Sequence, residues 1–542
     1  VAEPETFHGE PSAAAHAAPP LPSALHRPVA VPDLLVRALD AHPDRPAVYL
    51  GDQVLTSRQL RDQISCICQA YAAIGIHQGS PVAMLSRNRP EVLMAMGANM
   101  VTGCRVTSLH PMGSLEDQAY VLEDTGTETL VFDPDAFSQR AEALAAMVPG
   151  VKRLLALGPT PVGADLMAEA SAHHPAPLRP PPVAPEDVAG LAYTGGTTGK
   201  PKGVMGTYRG GAAMTTIQMA EWEWPEETRF LICTPLSHAG AAFFVPTLLR
   251  GGSIVVLPGF DPATVLETIE RHRITATMVV PTMLYALLDH PDLATRDISS
   301  LETVYYGAAA ISPTRLAEAI ERMGPIFFQF YGQAECPMTI TVLRKAEHDV
   351  TRPERLASCG RPVPWLDVAL LDDQCRPVAH GEPGEICCRG PLVMEGYWKK
   401  PEQTAEAFAG GWLHTGDVAR ADDEGFLTIV DRKKDMIVSG GFNVFPREVE
   451  DVISTDPDVS AVAVIGVPDD TWGEAVKAVV VPRPGVEIDP ARLIALVKAR
   501  KGSVHAPKSV DVIDAIPLSP LGKPDKKALR ERYWSGSDRQ VH

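Results

Sequence analysis

The sequence predicts an α/β protein with a large N-terminal domain of stacked, helix-covered sheets plus a β-rich subdomain, followed by a small α+β C-terminal domain. Three observations carry this expectation. From Pro32 onward short apolar strands alternate with helical segments, the pattern of a parallel sheet covered by helices. After Cys359 the texture changes to short strands punctuated by Gly and Pro. From Met436 to Trp534 enough chain remains for one further compact domain.

Residues 1–27 are rich in Ala, Pro and His, with Glu3 and Glu5 in front, and lack the basic start and apolar core of a signal peptide; they read as a disordered leader. Strands are expected at 47–50, 82–85, 106–109, 129–132 and 154–157. Between the first two, Thr56 and Gln59 form a capping-box pattern, and Leu60, Ile64, Ile67 and Tyr71 recur on one helical face. A second helix starts at Asn88-Arg89-Pro90-Glu91, and its Met94 and Met96 read as core filler. The Pro- and Ala-rich stretch 158–185 reads as a surface linker.

Alternation resumes at 230–233, 253–257, 276–280 and 303–306, a second related layer. Strands at 368–371, 384–388 and 426–430 make the β-rich subdomain. The charge run Asp431-Arg432-Lys433-Lys434-Asp435 follows, and a helix begins at Pro446 with Glu448, Glu450 and Asp451 in its first turns.

A chain of 542 residues exceeds one hydrophobic core, and 45% apolar with 21% charged residues suits a globular protein. Its net charge of −18 disfavours nucleic acid and anionic lipid as partners, so a polyanionic substrate must meet a local basic patch. Nine thinly spread cysteines argue for a reducing compartment, with cytoplasmic location the expectation. The most apolar stretch, 239–258, is broken by Pro246, Arg250 and two glycines, so no transmembrane segment is expected.

The chemistry centres on Tyr193-Thr194-Gly195-Gly196-Thr197-Thr198-Gly199-Lys200-Pro201-Lys202-Gly203-Val204. Glycines let successive N–H groups face one anion, threonines add hydroxyl donors and lysines add charge, which together make a phosphate cradle. An NTPase P-loop needs four residues between its glycines and Ser or Thr after the lysine. Here three separate Gly195 from Gly199, and Pro201 follows Lys200.

This run resembles the nucleotide-phosphate loop of the adenylate-forming enzymes, the superfamily of acyl-CoA synthetases, amino-acid adenylation domains and firefly luciferase. The resemblance extends from Pro32 to Trp534 through separate motifs in the family's order. It implies a main domain over 28–431, a hinge at 432–434 about Lys434, a mobile C-terminal domain over 435–534 and a tail at 535–542. Gly307, Ala308 and Ala309 resemble the segment beside adenine. Tyr331-Gly332-Gln333-Ala334-Glu335 resembles the motif whose tyrosine packs on adenine and whose glutamate holds Mg²⁺, with Ala334 in place of the usual threonine. Asp417 and Arg432 resemble the ribose contacts. His238 resembles the gate of the carboxylate pocket, with Ala239, Gly240, Phe243, Phe244, Ala308 and Met338 suggesting apolar walls. Gly440, Gly441 and Phe442 resemble the pantetheine tunnel, and Lys523 the catalytic lysine.

The implied reaction joins a small-molecule carboxylic acid to coenzyme A, using ATP and Mg²⁺ and passing through an acyl adenylate. No acid stands between Ala239 and Phe244 to hold an α-amine, so a free amino acid is disfavoured. Two alternatives are an acyl-AMP ligase serving a separate acyl-carrier protein and a non-catalytic nucleotide sensor; Glu335, Asp417, Arg432 and Lys523 speak against the sensor. The sequence also lacks a Gly-x-Ser-x-Gly elbow and a His-Glu-x-x-His zinc motif, as suits a reaction whose nucleophile belongs to the substrate.

Overall fold

The computed structural model describes residues 28–51, 53–194, 201–432, 435–439, 442–469, 473–518 and 524–533. Four sheets organise them. A seven-stranded sheet runs in the order Ala164–Asp165, Arg153–Ala156, Thr129–Phe132, Pro81–Leu85, Arg105–Ser108, Val188–Thr194, Lys202–Thr207. A nine-stranded sheet runs Arg361–Pro362, Cys336–Leu343, Phe327–Gln333, Thr303–Gly307, Ala276–Val279, Arg229–Ile232, Ser253–Val256, Pro46–Leu50, Gln53–Thr56. A four-stranded antiparallel sheet, Asp367–Leu371, Gly384–Arg389, Leu413–Ala421 and Leu427–Arg432, follows. The last, five-stranded sheet begins at Ile437–Ser439.

The helices Val31–Ala41, Ser57–Ala73 and Pro90–Thr102 form the layer that the two large sheets share. Leu35, Leu39, Leu60, Ile64 and Leu93 belong to one buried cluster with Val82 and Val131 of the first sheet and Phe230 and Ile254 of the second. The expected capping box is present: Thr56 Oγ accepts the Gln59 N–H at 3.2 Å, and Gln59 Oε1 accepts the Thr56 N–H at 2.9 Å. Leu60, Ile64, Ile67 and Tyr71 then point inward, each with no exposed surface.

Three features depart from the sequence reading. The strand Pro46–Leu50 joins the second large sheet, with Val48 opposite Ile254, rather than the layer its position suggests. A short apolar strand carries no mark of its partner, and tertiary pairing decides. The stretch 158–185 is not wholly linker, because it contains the helix Leu166–Ser171, started by Asp165, whose carboxylate accepts the N–H groups of Met167 and Ala168. Leu166 and Ala170, four apart, turn into the core, and the Ser65 hydroxyl fixes the following chain by donating to the Ala176 carbonyl at 2.7 Å. Neither large sheet is wholly parallel: Val188–Thr194 pairs antiparallel with Lys202–Thr207, and Phe327–Gln333 with Cys336–Leu343.

All nine cysteines are free and seven are buried, as expected of small apolar side chains. Burial pushes the Cys68 and Cys233 thiols up to about 11 and Cys104 up to about 12, so none of these three is a nucleophile near neutral pH. Among the described residues no helix is long and apolar enough to cross a membrane.

Replacing Thr56 by Ala removes one side of the capping box, and we expect a loss of about 1 kcal/mol. Urea unfolding followed by far-UV circular dichroism checks this, and an unchanged midpoint would contradict it.

Candidate active site

The strands Ala276–Val279, Thr303–Gly307 and Phe327–Gln333 are parallel neighbours, so their carboxyl ends open on one side, where open α/β sheets bind ligands. Gly307 ends its strand so close to Phe330 that an added Cβ would lie 2.4 Å from the Phe330 carbonyl oxygen. Ala308, next along, takes the left-handed region with φ +63° and is exposed. Gly332 turns the chain back toward Cys336–Leu343, and a Cβ there would meet Met338 backbone at 2.8 Å. Gly307 pairs with Phe330, so the chain beyond Gly307 and the segment 331–335 leave the sheet from neighbouring strands on one side.

Tyr331 extends from this edge to the four-stranded sheet, where its hydroxyl donates to Asp417 Oδ2 at 2.6 Å. Burial, then the adjacent Asp417 charge, holds the phenol well above its usual range, so it stays a donor. Asp417 is 4% exposed and stands opposite Arg432 across the antiparallel ladder.

At the other end of the site Thr194 faces Lys202 across its ladder; Gly195, Gly196, Thr197, Thr198, Gly199 and Lys200, which connect them, lie outside the described residues. The Lys202 ammonium sits 4.8 Å from the centre of the Tyr397 ring, and the Tyr397 hydroxyl donates to Glu335 Oε1 at 2.8 Å. Backbone bonds lock this meeting, with Met205 N–H donating to Gly396 O at 2.9 Å and Trp398 N–H to Gly203 O at 2.8 Å. Among the described residues no cation pairs with the Glu335 carboxylate. A half-buried carboxylate with one oxygen engaged by a phenol suits a hard divalent ion that also takes phosphate and water, so Glu335 fits Mg²⁺.

His238 precedes the short 3₁₀ turn Ala239–Phe243. Its Nδ1 is 2.8 Å from Ser237 Oγ, and its ring meets His110 edge to face at 4.8 Å. Burial, reinforced by His110, lowers its pKa to about 4, so it presents a neutral ring. Gly240 packs so tightly that a Cβ would lie 2.6 Å from the Thr234 carbonyl oxygen. Ala239 and Met338 are half-buried, Met338 with φ +68°. Phe243 has no exposed surface; it stacks on Phe230 at 4.4 Å inside a cluster with Trp222, Trp224 and Tyr305. It therefore forms the core under this segment rather than an open wall.

Lys434, Gly440, Gly441 and Lys523 lie outside the described residues, and Arg432 and Phe442 are placed by backbone alone. On either side of 519–523, Leu518 bridges Pro524, and Asp525 N–H donates to Pro517 O at 2.7 Å. No sequence pattern marks Tyr397, His110, Asp124, which accepts the Tyr193 hydroxyl at 2.5 Å, or Glu385, which accepts the Gly416 N–H at 2.8 Å. No spacing rule links residues so distant in the chain.

Residues 35–398 match the AMP-binding enzyme family, and 448–523 match the AMP-binding enzyme C-terminal domain. The chain belongs to this family, the adenylate-forming enzymes. Within it the chain groups with the acyl-CoA synthetases. It is 58% identical to a medium/long-chain fatty-acid–CoA ligase of Mycobacterium tuberculosis (strain ATCC 25618 / H37Rv), over 94% of this chain and 91% of that one. It is 38% identical to a feruloyl-CoA synthase of an Amycolatopsis species, over 92% and 98%. Among solved structures, an amide bond synthetase from Marinactinospora thermotolerans superposes with a TM-score of 0.86 at 37% identity, covering 93% of this chain and 100% of that one.

Tyr331→Phe removes the donor to a buried carboxylate, and bonds to charged groups contribute about 1.5–3 kcal/mol. We expect KM for ATP to rise by roughly 10-fold or more with KM for the acid unchanged; equal rises would contradict the assignment.

His238 also makes stability depend on pH. Its folded pKa of about 4 lies below its ordinary 6.5, so between these values the unfolded chain binds a proton that the folded one does not. The His238 contribution is therefore full above pH 6.5 and falls as pH drops toward 4. His238→Phe should flatten part of that fall in thermal melts across this window, while His348, likewise lowered to about 4 by burial, keeps its share. An unchanged slope would contradict the burial argument.

Proposed function

We propose that this protein is an ATP-dependent carboxylate–CoA ligase, AMP-forming, acting on an apolar fatty or aryl acid. The observation that carries the reading is the junction at Tyr331, which follows the Phe330–Gly307 pair at the strand ends and ties this side of the sheet to Asp417 by one hydrogen bond. The 58% identity to a fatty-acid–CoA ligase supports a fatty acid as substrate, and the feruloyl-CoA synthase keeps aryl acids in view.

In this reading Gly307, Ala308 and Ala309 lie along adenine, with Tyr331 against it. Asp417 accepts the ribose hydroxyls and Arg432 assists. Thr194 through Lys200, with Lys202, grip the β- and γ-phosphates. Magnesium held at Glu335 supplies positive charge against the phosphates. A carboxylate oxygen of the acid forms a bond to the α-phosphorus, and the bond from that phosphorus to the bridging oxygen of pyrophosphate breaks. Lys523 holds the two anions together, so the chain contributes position and charge rather than a nucleophile. The CoA thiolate, arriving past Gly440, Gly441 and Phe442, then attacks the acyl carbon and AMP leaves. The neutral His238 ring, with Ala239, Gly240 and Met338, borders the acyl group, and Phe243 supports it from the core.

Two steps in one site require a turn of the second unit. We assign the main domain to 28–431, the hinge to 432–434 and the moving domain to 435–534. Nine free cysteines, seven of them buried, suit a reducing cytoplasm.

Lys523→Ala should slow ATP–pyrophosphate exchange by roughly 10²- to 10³-fold, the loss for one preorganised donor, while thioester formation from supplied acyl adenylate persists. Gly441→Leu should do the reverse. Equal loss of both half-reactions in either variant would contradict these roles. Hydroxylamine trapping across fatty, aryl and branched acids tests the substrate, with fatty acids expected to give the strongest signal. A signal confined to small polar acids would contradict the apolar assignment.

A further inference from the structure

The strand that carries Asp417 pairs out of step with its neighbour. Cys387 stands opposite His414, yet Glu385 stands opposite Val418, so a two-residue step on one strand matches a four-residue step on the other. Thr415, Gly416 and Asp417 take up the surplus as a bulge, a device that re-aims side chains beside active sites. Gly416 adopts the left-handed region with φ +73°, which suits a residue without Cβ.

A bulge frees backbone N–H groups from the ladder, and here side chains receive them. Glu385, 7% exposed, accepts the Gly416 N–H through Oε1 at 2.8 Å. Its other oxygen lies 3.0 Å from His414 Nδ1, and His414 Nε2 lies 3.1 Å from the Ala409 carbonyl oxygen. The ring lies between these two acceptors, with the Cys387 and Cys375 sulfurs 3.4 Å and 3.7 Å from Nδ1 and Nε2. Thr415 completes the turn, accepting the Asp417 N–H at 3.1 Å and donating to Ile386 O at 2.7 Å. One buried carboxylate therefore bridges the start of the bulge at His414 and its middle at Gly416, directly before Asp417.

We propose that Glu385 is a positioning residue for the nucleotide's ribose: it fixes the bulge that aims Asp417. The inference rests on the reading that Asp417 accepts the ribose hydroxyls. A residue that acts through Asp417 matters only when there is a hydroxyl for Asp417 to hold, whereas general loosening of the sheet harms every nucleotide alike. Glu385→Gln keeps an acceptor for the Gly416 N–H, and Glu385→Ala does not.

The test measures kcat and KM of the full chain with ATP, 2′-deoxy-ATP and 3′-deoxy-ATP, for the wild type, Glu385→Ala and Glu385→Gln. The wild type should lose roughly 10-fold or more in kcat/KM when a hydroxyl bonded to a carboxylate is removed. Glu385→Ala should raise KM for ATP by about 10-fold, leave KM for the acid unchanged and use ATP and the deoxynucleotides almost equally. Glu385→Gln should restore most of the preference for ATP. If Glu385→Ala does not fold, His414→Phe removes another partner of the same carboxylate and should narrow the preference in the same direction. A Glu385→Ala enzyme that keeps the full wild-type preference for ATP, whatever its overall activity, overturns the proposal. Equal use of all three nucleotides by the wild type overturns the ribose reading of Asp417 and the proposal with it.

Discussion

The hydrogen bond from Tyr331 to Asp417 is the constraint around which the candidate site is built. It joins the carboxyl end of a parallel strand to a bulged strand of a separate antiparallel sheet, eighty-six residues later. Each partner is costly to leave alone: the phenol is buried against a carboxylate, and the carboxylate is almost wholly removed from water. The pair holds because backbone geometry on both sides leaves little freedom. Gly307 and Gly332 permit approaches that a Cβ would block, and the turn before Asp417 is tied down by Glu385 and Thr415.

The second meeting point, Lys202 with Tyr397 and Glu335, works by the same logic at the end proposed to take the phosphates. Its cation rests over an aromatic face while that ring's hydroxyl orients the carboxylate expected to hold magnesium. The protein as a whole carries a charge of −18, so positive charge must be placed locally where phosphates are handled. At the end proposed to border the acyl group the opposite holds, because burial keeps His238 neutral and the segment beneath it is aromatic core.

What could be read from sequence were features fixed by local chemistry. The capping box at Thr56, the first-turn proline at Pro446 and the strand-end glycines at 307 and 332 each impose a backbone requirement that a few neighbouring residues reveal. The family's motifs, spread in order along the chain, brought Tyr331, Glu335 and Asp417 into view together. Pairings that only the tertiary fold creates stayed hidden. Nothing in the strand at 46–50 marks its partner, and nothing near Tyr397 points to Glu335, sixty-two residues away. Phe243 shows the same limit from the other side, since an aromatic residue beside a pocket motif can face the core beneath it.

In the proposed reaction the acid's own oxygen attacks the α-phosphorus. The most direct test uses a fatty acid labelled with ¹⁸O in both carboxyl oxygens, turned over with ATP and coenzyme A, with mass spectrometry of the AMP and pyrophosphate formed. The account predicts one ¹⁸O in each AMP and none in pyrophosphate. Unlabelled AMP, or label in pyrophosphate, would contradict it.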